Sequence, residues 1–248
     1  MAGSFLAGAR TATPAEAAQV IAAARATPGG VEPSTRIAPG TERWPVKTGV
    51  DADVGQVDNT KIVDSTVREL GSLPRPPELM PPTELHDAYD AKRAVPVELT
   101  VWRVHAKVIA LKLEADGDYH LVLQDDSGAE MVAEIPYPDN AFIATTSPFF
   151  DDVGKARTAV DAKFGPLLAQ IDFAPSGTDA KMIPVGALPP STRGATGRKK
   201  TETDLFSVRI EPADATITGV GFFDRAHGQT GAAANVVELH PVLDIAFG

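Results

Sequence analysis

The clearest hydrophobic pattern in the chain begins at Val97 and runs to Phe247. In VELTVWRVHAKVIALKL, apolar residues hold odd positions at Val97, Leu99 and Val101. They move to even positions at Trp102, Val104, Ala106 and Val108, then return to odd at Ile109, Leu111 and Leu113. A period of two that changes phase predicts one long strand bent by bulges, because a one-residue slip carries the side chains to the other face. Tyr119, Leu121 and Leu123 alternate in a second strand, and Gln124-Asp125-Asp126-Ser127-Gly128 reads as a hairpin turn. Met131, Ala133 and Ile135 mark a third strand that stops at Pro136. Ser147-Pro148 opens a helix to about Gly165, with Val153, Ala156, Val160 and Phe164 on one face. Leu205 to Ile210 could add a strand, and the last two strands are read at 216–224 and 236–247. In the final one, Val237, Leu239, Leu243, Ile245 and Phe247 share a face, and Glu238, His240 and Asp244 share the other.

The first 96 residues lack this regularity. Thr13, Pro14 and Glu16 form a helix-start signal for an Ala-rich stretch over 14–26, which ends before Pro28-Gly29-Gly30. Alanines bury little area, so this helix is marginal unless it docks on something. The segment that follows is dense in proline, with PRPPELMPP at 74–82, and Trp44 is its one large apolar anchor. The predicted organisation is an Ala-rich N-terminal helix in 1–30, a Pro-rich extended arm in 31–96 and a β domain in 97–248.

A succession of three strands, a helix and two strands, with a bent first strand, is that of an OB-fold. The expected fold is therefore mainly β: a five-stranded OB-like Greek-key barrel with a helix between strands three and four and an extended N-terminal arm. An SH3-like barrel competes, and the helix position favours OB. Ligands of OB-folds lie on strands two and three and on the loops joining strands one to two and four to five. Those loops carry Asp116, Asp118 and His120, and Asp224, His227, Gln229 and Asn235. Their convergence predicts a polar ligand cleft, or a divalent-metal site made by Asp116, His120, Asp224 and His227. The alternative is plain turn chemistry, since Asp-Gly-Asp also stabilises hairpins and His227 and Asn235 can hold their own loop. Glu238 and His240 could act as an acid–base pair. More often such a pair is a hydrogen bond that closes a strand against the arm.

Composition narrows these options. A formal charge of −10 and a pI near 4.9 oppose binding to duplex nucleic acid, which depends on neutralising phosphates. Arg193, Arg198, Lys199 and Lys200 form the one basic cluster, within a Gly/Thr-rich loop. The chain has no cysteine, so disulfides, thiolate metal sites and cysteine nucleophiles are excluded. No continuous apolar run approaches a membrane span and no signal peptide is legible, so a cytoplasmic protein is expected. No nucleophile elbow, Walker loop or dinucleotide fingerprint occurs.

ERWPVKTG at 42–49, LEADGDYHLVLQD at 113–125, MVAEIP at 131–136 and GVGFFDRAHGQTGAAANVVELHPVL at 219–243 resemble motifs of a family of uncharacterised bacterial proteins. That resemblance spans about 42–247 and implies an intact domain but no activity. A weaker similarity, at the level of fold, is to the OB-fold thermonucleases. Asp116, Asp118 and Asp125 could stand for their acidic cluster, but no arginine sits in a comparable motif. Taken together, the expectation is a non-catalytic OB-type binding or interaction domain that needs no cofactor. Residues 1–96 would attach it to a protein partner or larger assembly. The alternatives are a divalent-metal-dependent hydrolase, phosphodiesterase-like, using the Asp/His cluster, and a single-stranded nucleic-acid binder.

Overall fold

A computed structural model describes residues 40–114, 116–168 and 204–248. The expected Ala-rich helix and the basic cluster from Arg193 to Lys200 lie outside the described residues. The fold is mainly β, with a mixed sheet of six strands. These are β1 (Ile62–Ser65), β2 (Val101–Glu114), β3 (Tyr119–Gln124), β4 (Glu130–Ile135), β5 (Asp204–Phe223) and β6 (Val237–Phe247). Among the described residues three α-helices accompany them: α1 (Trp44–Thr48), α2 (Val67–Gly71) and α3 (Phe150–Leu168).

The sheet order is β1-β2-β3-β4-β6-β5, and β5 also pairs with β2. The pairings β2–β3, β3–β4, β6–β5 and β5–β2 are antiparallel, whereas β4–β6 is parallel. Hydrogen bonding thus returns to the strand it started from, and β1 lies parallel beside the beginning of β2. The second phase change read in β2 coincides with a register shift between Val108 and Ala110, which occurs against both β3 and β5. Expected strand residues Val97–Leu99 instead form a 3-10 turn before β2. β5 begins at Asp204, so the stretch read as a separate small strand is continuous with the one that follows.

Alternation along the strands sorts two faces. Leu121, Leu123, Met131, Ala133, Ile135, Ile217, Val220 and Leu239 belong to the main apolar cluster. Each fully buried Val, Leu, Ile or Met side chain among them stabilises the fold by about 1.5–3 kcal/mol. Helix α3 adds Val153, Ala156, Val160 and Phe164 to it, packing on β6, where Phe164 meets Phe247 edge-on at 5.3 Å.

The Pro-rich segment from residue 40 to 100 packs along this body through buried ion pairs. Glu98, fully buried, accepts from Arg43 Nη1 at 2.7 Å and Nη2 at 2.8 Å, and from the backbone N–H of Ala94 at 2.6 Å and Phe223 at 2.8 Å. Arg93 holds Asp51 at 2.7 Å and also donates to the carbonyls of Val46 and Glu98. Trp44 donates its indole N–H to the carbonyl of Phe142. At the end of α1, Gly49 takes φ +66°, and a Cβ there would stand 2.3 Å from the Phe149 ring, so only glycine fits this close approach.

Candidate functional site

On β3, β4 and β6 the positions opposite the apolar core carry His120, Glu134, Glu238 and His240, all buried. Register explains why they meet. Lys112 pairs with His120 and His120 with Glu134 across adjacent strands, and Val132 on β4 lies beside Glu238 on β6. Phe222 of β5 pairs with Glu238 and shares this face, with its ring 5.6 Å from that of His240.

Two segments cover the face. Helix α1 brings Lys47 within 3.9 Å of Glu134 and 3.8 Å of Asp224, with its ammonium 5.3 Å from the Phe222 ring centre. The loop between β5 and β6 crosses β3: Thr230 offers its carbonyl to His120 Nε2 at 3.2 Å. Next to it, Gly231 has φ +80° and lies so close to Val122 that a Cβ would stand 2.3 Å from a Val122 methyl. A glycine is required there by both conformation and space.

Glu134 is the hub. Its Oε1 lies 2.8 Å from His120 Nδ1 and its Oε2 lies 2.8 Å from His240 Nδ1. Glu114 is 3.3 Å from His120 Nδ1 and 2.8 Å from Lys112 Nζ. Burial raises the cost of every charge here, and the neighbours decide which charges survive. Burial works against Glu134, yet Lys47, His120 and His240 hold its carboxyl well below the usual range. Asp224 is held down likewise by Lys47 and by His227, against its own burial. Burial and the Lys112 charge oppose a proton on His120, but Glu114 and Glu134 outweigh them and push it up to about 9. Burial lowers His240. Asp118 and Glu238 are pushed well up, first by burial and then by neighbouring carboxylates, and Asp116 rises for the same reasons to about 6.

No family model, curated protein or solved structure matches this chain.

Of the residues expected at the loop end, Asp118, His120 and Asp224 enter this buried cluster, and Asp116 sits at its margin. His227 stands at the rim, its side chain 42% exposed, with Nε2 3.4 Å from Asp224. Gln229 donates to Asp224 at 2.8 Å and accepts from the His227 backbone N–H. Asn235 is elsewhere: it donates to the carbonyls of Leu70 and Leu73 and accepts from the Val237 N–H, fastening the loop to α2. Sequence reasoning missed Lys47 and Glu134 and set Glu238 and His240 apart from the loop residues. The signal for Glu134 was present, since it is the polar member of MVAEIP and lies in register with His120. Lys47 had none, because only the fold brings residue 47 to residue 134.

Among the described residues, two groups of three could hold a metal ion, Glu114–His120–Glu134 and Asp118–Glu134–His240, with the ligand atoms of each group within 4.8 Å of one another. Surface grooves of about 220 Å³, beside His105 and Asp214, and about 410 Å³, beside Arg68 and Ala233, are lined by none of the cluster residues. No helix of the described residues is long and apolar enough to cross a membrane.

Proposed function

We propose that the chain is a non-catalytic OB-type interaction domain that docks into a protein assembly through its N-terminal 96 residues. The OB reading is supported by the cyclic order of β2, β3, β4, β6 and β5 with its parallel β4–β6 contact, and by α3 lying between the third and fourth strands of that set. The polar face on β3 and β4 is covered by α1 and by the β5–β6 loop. Most of its titratable groups hold one another, and the side chains of His120, Glu134, Glu238 and His240 are buried.

The observation that carries the reading is where apolar surface remains exposed. Among the described residues, the large exposed apolar side chains are Val50, Ile62, Val63, Met80, Leu85 and Val95. All fall between residues 50 and 95, and two of them are on β1, a short strand that among the described residues pairs with β2. Scattered apolar residues need no explanation, but confinement to one segment marks a contact surface. The hydrolase reading would need the buried cluster to open, and the single-stranded nucleic-acid reading rests on basic residues outside the described ones.

Native-size analysis tests this. In a gentle extract of the source cells the chain should migrate well above its own 26.0 kDa. Leu85→Glu, which places a charge on the contact surface while leaving the core intact, should return it to the free position. Migration of the wild type at its own mass in that extract would defeat the proposal.

A further inference from the structure

Within the covered face, three polar atoms have no hydrogen-bond partner: both carboxylate oxygens of Asp118 and Nε2 of His240. Both side chains are essentially inaccessible to solvent. Leaving such groups unsatisfied is costly, and more so for a charge. They face one another, with Asp118 Oδ2 3.5 Å from His240 Nε2. The opposite ring nitrogen explains the orientation. His240 Nδ1 lies 2.8 Å from Glu134 Oε2 and donates to that carboxylate, so a neutral ring presents its lone pair at Nε2, toward Asp118.

A lone pair and a carboxyl group that meet in the interior need a proton or a metal ion between them. A shared proton would draw oxygen and nitrogen to about 2.7–3.0 Å, shorter than what is seen. A divalent ion bound at about 2.0–2.1 Å to each of two tetrahedral ligands would set them about 3.3 Å apart, close to the observed separation. Glu134 stands where metal-bound histidines keep their orienting carboxylate, on the far ring nitrogen. Asp116, Glu134 and Glu114 surround Asp118 with negative charge, and Lys47 opposes them. That surplus favours a cation here.

From these observations we infer that Asp118 and His240 Nε2 are the protein ligands of a zinc-type divalent cation, with Glu134 as the residue that orients His240. One imidazole and one carboxylate suit zinc or cobalt better than calcium or magnesium, which prefer all-oxygen sites. The ion would tie the β2–β3 turn to β6 and serve the stability of the covered face. This set differs from one built on the β5–β6 loop, because it excludes Asp224 and His227.

The test uses the full chain, freed of metal by chelator and titrated with zinc chloride alone. One zinc should bind per chain and the unfolding temperature should rise. Asp118→Asn, nearly identical in shape, should remove both effects, and His227→Ala should keep them. Since a buried substitution can disturb folding, the wild type supplies a second reading. On zinc addition, the His240 Nε2 nitrogen resonance should shift and that of His227 should stay. Absence of zinc binding by the wild type, or a response at His227 in place of His240, overturns the inference.

Discussion

Glu134 touches both imidazoles of the covered face, yet the two settle in opposite states. His120 has acceptors on both sides, Glu134 at Nδ1 and the Thr230 carbonyl at Nε2, so both nitrogens donate and the ring carries a charge. His240 has one close carboxylate partner at Nδ1 and no hydrogen-bond partner at Nε2, and burial keeps it neutral. Imidazole nitrogen spectroscopy should therefore find His120 doubly protonated at neutral pH and titrating near 9, with His240 still neutral at pH 6.5. Stability follows with opposite signs. The His120 contribution, from a raised folded value, is complete below the unfolded value of 6.5 and lost as pH climbs through about 9. The His240 contribution, from a lowered folded value, is complete above 6.5 and lost as pH falls through its folded value. Denaturation midpoints should consequently decline on the alkaline side through about pH 9, and His120→Gln should flatten that decline. Two imidazoles titrating together near 6.5 would contradict this assignment.

At the scale of elements, the five-residue α1 matters more than its size suggests. It has too few residues to be stable alone and is held by its surroundings. Arg43 at its start is clamped by Glu98, and Lys47 supplies the ammonium that Glu134 and Asp224 share. Lys47→Met keeps the stem that crosses Phe222 but leaves the carboxylates without their cation. Urea denaturation should show a loss of about 3–5 kcal/mol, the usual cost of breaking one side of a buried ion pair. A change within a few tenths would mean that the pair is solvated. α1 also marks the limit of sequence reading. The strand pattern was legible because core contact imposes a period: the bend in β2, the alternation in β3 and β4, and the apolar stripe of α3 all follow from it. Period does not say what lies on the other face. His120, Glu134 and His240 sat at positions that alternation assigns to the outside, and only the covering segments make them interior. The Pro-rich segment has no period, so its buried Arg43 and Arg93 left no pattern to read.

For the whole molecule, a large apolar core stands beside a buried polar cluster. His120, His240 and the carboxyls of Asp118, Glu134, Asp224 and Glu238 are inside, fastened by the chain's own lysine and loop, and the large exposed apolar side chains of the described residues lie between Val50 and Val95. A charge of −10 makes copies of the chain repel one another. The same arrangement says which surface should change in its working context. Met80 is 52% exposed and belongs to the same segment as Leu85 at 61% and Val95 at 67%, and a methionine thioether reports its own accessibility through oxidation. The most direct measurement is therefore the rate of Met80 oxidation by a brief pulse of hydroxyl radical, read by peptide mass spectrometry, for the purified chain and for the chain inside its source cells. An interaction domain docked through this segment predicts rapid oxidation when purified and clear protection in the cell, with buried Met131 slow in both. Equal rates for Met80 in the two settings would contradict it.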